Sequence, residues 1–207
     1  MPDFELETAL GARDGRCVVG VDEVGRGPWA GPVVAAAAVI CLETLPVELL
    51  TLVDDSKKIR PALRLELAAQ LRVHCRFGIG VASVAEIDSI NILQASFLAM
   101  ARAVEALGVA PDAALVDGKL KPRLPCPMQA VIEGDGRSLS IAAASIIAKV
   151  HRDSLMEGLA LRHPGYGWEQ NRGYGTPDHR AALARQGPCA EHRRSFRPVS
   201  ELLLATA

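Results

Sequence analysis

Residues 20–32 read GVDEVGRGPWAGP, and the fold turns on how this stretch is interpreted. Val18, Val19 and Val21 form a short β-branched run of the kind that fills a buried strand. Asp22 and Glu23 close it, and Gly25, Arg26 and Gly27 follow at once. Successive strand side chains point to opposite faces, so two neighbouring carboxylates can serve one cation only where the strand ends and the backbone turns. The glycines supply that turn and let backbone N–H groups approach a ligand closely. Arg26 adds a guanidinium fork suited to phosphate oxygens. Hard oxygen ligands of this kind favour Mg²⁺ or Mn²⁺ over zinc. The competing reading is a polar strand end closed by an ordinary tight turn.

A glycine-rich turn after a strand also raises a dinucleotide-binding fold. That fold requires G-x-G-x-x-G opening into a helix, whereas Gly25, Gly27 and Gly31 are spaced G-x-G-x-x-x-G and lead into Pro32 and an alanine-rich apolar run. The run reads as a second strand, which makes the unit a β-hairpin. A helix after Gly31 would restore the alternative.

Strand signals recur at residues 17–21, 33–40, 76–84, 113–116 and 128–132. Helices are expected between them. Leu63, Leu67 and Leu71 share one face of a segment at 61–73 that begins with proline. Ile87, Ile90, Leu93, Phe97 and Met100 do the same over 85–107, and a third helix starts near Ser138 and runs through Val150. A leading hairpin followed by strand-helix alternation predicts an α/β domain with one mixed sheet.

Two further carboxylates fall at element ends. AALVDG at 113–118 repeats the logic of the first strand, with Asp117 before a glycine. In an open α/β sheet ligands gather beyond the carboxyl ends of the strands, so Asp117 can join Asp22 and Glu23 if the strands are parallel neighbours. Asp135 stands between Gly134 and Gly136, just ahead of the Ser138 helix. It is either a cap worth roughly 1 kcal/mol or a fourth metal ligand. On that helix Ser138, Ala142, Ser145, Lys149 and Arg152 lie on one side. Such a stripe suits a phosphate backbone, though Lys149 and Asp153 can equally pair at i,i+4.

The net charge of −1 hides an asymmetry. Residues 149–198 hold nine Lys/Arg against five Asp/Glu, a balance of +4 that leaves −5 on the rest, and include His151, His163, His179 and His192. A basic C-terminal third beside an acidic body suits a polyanion held against a carboxylate-metal centre. The five cysteines, Cys17, Cys41, Cys75, Cys126 and Cys189, are odd in number and widely spaced, and reduced, mostly buried thiols are expected. The longest apolar stretch, 33–42, is too short for a bilayer, and no basic-then-apolar leader opens the chain, so a cytoplasmic location is expected.

With these carboxylates assembled, the chain resembles bacterial type 2 ribonuclease H, ribonuclease HII, over nearly its whole length. GVDEVGRGPWAGP resembles the opening signature of that family, DDSKKI at 54–59 its second, and NILQASFLAM at 91–100 its helix. LVDG at 115–118 and GDGRSLSIAAASIIAKVHRD at 134–153 look like the segments carrying its later carboxylates. NRGYGTPDH at 171–179 and HRRSFRPV at 192–199 look like its C-terminal signatures.

The resemblance implies a ribonuclease H-like fold, a mixed sheet flanked by helices. It would form a single domain over 1–207, with 154–207 as a helical, basic C-terminal extension. Asp22, Glu23, Asp117 and Asp135 would be the catalytic carboxylates and would hold Mg²⁺ or Mn²⁺. Gly25, Arg26 and Gly27 would recognise the ribose 2′-OH beside the scissile phosphate, and Tyr174 would meet the sugar of the following nucleotide. Lys57, Ser145, Lys149 and Arg152 would contact phosphates. The implied activity is endonucleolytic hydrolysis of RNA in RNA/DNA hybrids and at ribonucleotides embedded in duplex DNA. It would proceed by two-metal-ion in-line displacement, leaving 3′-hydroxyl and 5′-phosphate ends. Only 16 residues precede the first strand, so the sister type, ribonuclease HIII, with its extra N-terminal domain, is not expected. A monomer is expected, and a catalytically silent binder of hybrids is the rival from another class.

Overall fold

A computed structural model describes residues 1–56, 58–119 and 121–205. Five strands, β1 (Val18–Val24), β2 (Val33–Val39), β3 (Arg76–Ala82), β4 (Ala113–Asp117) and β5 (Met128–Val131), form one sheet in the order β3-β2-β1-β4-β5. The β1–β2 and β2–β3 pairs are antiparallel, and β1–β4 and β4–β5 are parallel. The expected mixed sheet is therefore present. The segment after Gly31 is a strand, which removes the dinucleotide-binding alternative.

The helices are α1 (Glu5–Ala9), α2 (Val47–Leu52), α3 (Pro61–His74), α4 (Val84–Glu105), α5 (Leu139–Arg162), α6 (Trp168–Asn171), α7 (Pro177–Gln186) and α8 (Arg197–Ala205). Strand alternation sorts the core into two layers. Val34, Ala36 and Ala38 face α3 and α5, while Val19, Val21, Val33 and Ala35 face α4. A third cluster packs Met156 and Leu159 of α5 around Trp168 and Leu183 of the C-terminal helices. Position 154 lies inside α5, which runs unbroken to Arg162.

The approach of α5 to β1 depends on Gly20. A β-carbon there would overlap the backbone of Ser140 and Ile141, so any side chain would push the helix off the strand that carries Asp22. Glu7 fixes the helix start from the other side. Its Oε1 accepts from Ser138 Oγ (2.6 Å), Ser140 Oγ (2.6 Å) and Ser140 N (2.9 Å), all fully buried.

The helix expected over 85–107 is two helical segments joined at Asn91, whose φ of 67° and ψ of 163° are not helical. The Asn91 side chain accepts from Leu93 N (2.9 Å) and Gln94 N (3.1 Å), capping the second segment. We predict that Asn91→Ala costs about 1–2 kcal/mol, since the cap is lost and the backbone strain kept. Asn91→Gly should cost less, because glycine tolerates positive φ. Chemical denaturation of both variants checks this order, and equal losses would mean that strain contributes nothing. By length and composition α4 could also cross a bilayer, unlike the stretch at 33–42, yet Ile87, Ala95, Ala99 and Ala103 are buried in the core against the sheet. Of the five free thiols only Cys75 is fully buried and Cys41 is exposed, so the expectation of mostly buried cysteines is corrected.

Candidate active site

The register of β1 and β4 pairs Val21 with Val116, which brings Asp22 and Asp117 to the same level at adjacent parallel strand ends. Asp22 lies opposite Ala36 on the α5 face, and Glu23 lies opposite Ala35 on the α4 face. The ladder continues to Val24, so the acidic pair sits within the strand and not in the turn. Its two members flank the sheet end from opposite faces.

Asp22 is only 7% exposed. Its Oδ1 accepts from Glu23 N (2.7 Å), and the Ser145 hydroxyl on α5 also hydrogen-bonds to it. Ser145 is itself buried and bonded to Ser56 Oγ (2.9 Å). Glu23 pairs through Oε1 with Arg26 Nη1 (3.2 Å), while its buried Oε2 has no partner among the described residues. Asp117 Oδ1 accepts from Gly134 N (2.7 Å), which ties the β4 end to the short 3₁₀ turn Gly134–Gly136 and its buried Asp135.

Among the described residues, no three His, Cys, Asp or Glu side chains are gathered as a finished metal-binding set. Their electrostatics nonetheless fit a cation. Burial, then the charges of Glu23 and Asp117, hold the Asp22 carboxyl well above its ordinary 3.8. Burial also raises Glu23, against the pull of Arg26. Like charges crowded out of water, one with an orphaned oxygen, are relieved by a hard cation, and the donors here are carboxylate oxygens.

The glycine turn is braced from below. Arg152 is fully buried and donates to Pro32 O (3.0 Å), Arg172 O (3.1 Å) and Ala30 O (3.3 Å). It cannot reach a phosphate, so the expected phosphate contact is corrected to a brace of the backbone. Ser138, Ala142 and Ser145 are buried too, so the proposed phosphate-facing stripe does not exist as a surface. Lys149 is half-buried and bonded to Asp153 Oδ1 (2.7 Å), the i,i+4 pairing that had stood as the alternative. Lys57 lies outside the described residues.

Tyr174 is 45% exposed, and a β-carbon placed at Gly27 would stand 3.6 Å from its Cε1. The two expected ribose-recognition elements therefore meet. Two buried histidines that no motif reading had singled out support Tyr174. His179 Nδ1 bonds Tyr174 O (2.9 Å), and its Nε2 receives Trp168 Nε1–H (3.1 Å) and faces His192 Nε2 (3.1 Å). Since indole N–H can only donate, His179 carries its proton on Nδ1 and gives it to the carbonyl. His192 Nδ1 accepts from Cys189 N (3.1 Å), which leaves its Nε2–H to point at His179. Both rings are thus neutral, and burial pushes His192 down to about 4.

A cleft of about 100 Å³ lies on the α4 side, lined by Glu23, Arg26, Ser96, Met100, Asp117 and Lys119. Phe97 joins it to an open groove of about 650 Å³ bordered by Gln94, Lys121 and Arg123.

Gly25 and Gly27 differ in what they tolerate. Gly25 has φ +96° and a β-carbon there would overlap the Arg152 guanidinium, whereas Gly27 has room for one. Gly25→Ala should therefore lose about 1–3 kcal/mol of stability. Gly27→Ala should stay within about 0.5 kcal/mol of the parent, yet lose roughly 10–100-fold in cleavage by crowding the ligand. Thermal melts beside a nuclease assay separate the two, and full activity in Gly27→Ala would remove that position from ligand contact.

Comparisons with known proteins agree with this architecture. The family model described as Ribonuclease HII matches residues 19–199. A ribonuclease HII of Rhodospirillum rubrum is 59% identical over 209 residues, covering 100% of this chain and 94% of that one. Among solved structures, the ribonuclease H2 of Pyrococcus horikoshii superposes with a TM-score of 0.73 at 26% identity, covering 91% of this chain and 97% of its own. The ribonuclease HII of a PCNA complex from Archaeoglobus fulgidus gives 0.74 at 28%, covering 87% and 95%. A chain matched along its length by that family, and folded as its members are, belongs to the ribonuclease HII family of metal-dependent endoribonucleases.

Proposed function

We propose that this chain incises duplex DNA at embedded ribonucleotides and hydrolyses the RNA strand of RNA/DNA hybrids, leaving 3′-hydroxyl and 5′-phosphate ends. The observation that carries the reading is the meeting of Asp22 and Asp117 at the same level of adjacent parallel strands, with Glu23 and the Asp135 turn beside them and Gly27, close to the Tyr174 ring, next to Arg26. Asp22, Glu23, Asp117 and Asp135 would hold Mg²⁺ or Mn²⁺. When bound, the ions would supply Lewis acidity and an activated water for in-line displacement at phosphorus.

The chain's own groups supply the rest. Ser145 and the Glu23 amide hold Asp22 in place, and the Gly134 amide does so for Asp117. Arg26 offers a bidentate fork to a phosphate once released from Glu23. Gly25, Arg26 and Gly27 would read the ribose 2′-oxygen, the one group that distinguishes RNA from DNA here, and Tyr174 would stand against the next sugar. The groove bordered by Lys121 and Arg123 continues from the cleft with a charge that suits the flanking backbone. Residues 1–207 would work as one domain in the cytoplasm, in replication and repair. A PCNA-like partner would follow the A. fulgidus complex.

The test compares three duplexes of one sequence: all-DNA, RNA/DNA hybrid, and DNA with a single ribonucleotide. Cleavage of the second and third with added Mg²⁺ or Mn²⁺, abolished by a chelator, is the expected result. Binding without cleavage of any of them would favour the silent-binder alternative.

A further inference from the structure

Beside Arg152 lies a second fully buried guanidinium, Arg193. Its Nε donates to Gly31 O (2.9 Å), its Nη1 to Arg26 O (3.0 Å) and its Nη2 to Gly25 O (2.6 Å). Among the described residues neither guanidinium forms an ion pair within 4.0 Å, so two interior charges rest on neutral carbonyls, five of the six within residues 25–32 and the sixth that of Arg172. Removing a guanidinium from water for this purpose is costly. It is understandable where the position of the loop matters.

The carbonyl choice has a geometric consequence. Among the described residues no peptide is cis. In a trans peptide the C=O and the next residue's N–H share a plane and point in opposite directions. With the Gly25 and Arg26 carbonyls both turned onto Arg193, the N–H groups of Arg26 and Gly27 face away from it. Gly27 is exposed there, beside the Tyr174 ring. Two neighbouring donors are thereby aimed outward from a turn whose first residue has φ +96°, an arrangement suited to an electron-rich oxygen.

We propose that Arg193 is a positioning residue for ribose recognition, holding the carbonyls of Gly25 and Arg26 inward so that the N–H groups of Arg26 and Gly27 meet the substrate 2′-oxygen. This rests on the ribonuclease reading and deepens it. Arg193 touches no substrate itself. Its main-chain N–H donates to Trp29 O (2.8 Å), and Trp29 N donates to Gly173 O (2.8 Å), so the same residue links the glycine turn to the segment carrying Tyr174.

Arg193→Lys keeps the charge but replaces the planar fork by a compact ammonium that cannot reproduce the three spread donor positions. The readout is kcat/KM on a duplex with one ribonucleotide, divided by that on the same duplex with a 2′-fluoro nucleotide, a far weaker acceptor, at that position. We expect this ratio to fall about tenfold, the scale of losing one good hydrogen bond. A merely structural role would lower both rates alike and leave the ratio intact, which would overturn the proposal. Should Arg193→Lys fail to fold, amide NMR of the metal-free parent decides. The Arg26 and Gly27 signals should move on adding the ribonucleotide duplex and not the all-deoxy one, and unmoved signals would refute the donor pair. A parent that cuts neither substrate would count against the nuclease reading itself, while the amide measurement would still judge the donors.

Discussion

Asp22→Asn is expected to lower cleavage by at least about 10³-fold while leaving duplex affinity within roughly tenfold, because affinity comes mainly from phosphate contacts. The same change should make the metal-free protein more stable. Burial and the Glu23 and Asp117 charges raise the folded pKa of Asp22 above 3.8, so the folded chain holds a proton there that the unfolded chain has released. The stability linked to this group is therefore greatest at low pH and is lost as pH rises through the raised value. Ionising this buried carboxyl beside Glu23 and Asp117 is a net cost, and asparagine removes it. Added Mg²⁺ or Mn²⁺ should then raise the melting temperature of the parent and not of the variant. A variant with near-normal turnover, or one that melts below the parent in chelator, would remove Asp22 from the proposed centre.

Tyr174→Ala is expected to damage incision at a single ribonucleotide roughly tenfold more than cleavage of a continuous RNA/DNA hybrid, the scale of one lost stacking contact. The ring is 45% exposed and makes no side-chain hydrogen bond within the described residues, so the fold should survive its loss. Its backbone carbonyl stays anchored by His179 and by Thr176 N. In a continuous hybrid, neighbouring ribonucleotides offer further cleavage positions, and the loss at any one is diluted. Parallel rate measurements on the two substrates decide this. Equal activity ratios for variant and parent would place the junction preference elsewhere.

Much of this fold was legible because its signals are local. β1, β2 and β4 are buried and read as continuous apolar runs, and α3 and α5 show their spacing or their caps. Asp117 does end its strand and Asp135 does sit in the short turn before α5, but Asp22 and Glu23, read as closing β1, lie inside its ladder. The break at Asn91 was not legible, since a helical apolar pattern continues through it and only the side-chain cap reveals the strain. Arg152 was misread for a different reason. Helical spacing put it in line with Ser145 and Lys149, and nothing local says that its partners are Ala30 and Pro32, 122 and 120 residues away. Arg193 sat within HRRSFRPV as one cation among several, though its carbonyl partners lie 162 to 168 residues back. The basic C-terminal third is accordingly less of a surface than its count suggests, because two of its nine cations are interior and two more, Lys149 and Arg172, are paired with Asp153 and Glu157. Burial of charge is a tertiary fact, and the residues that hold the glycine turn in place could be recognised only once the chain was folded.

A divalent cation held between the ends of β1 and β4 would be located by anomalous scattering from Mn²⁺-soaked crystals. An anomalous peak bordered by the carboxylates of Asp22, Glu23, Asp117 and Asp135 is expected, absent from Asp22→Asn crystals treated alike. A protein that cleaves with Mn²⁺ yet shows its peak elsewhere, with those carboxylates free of metal, would contradict it.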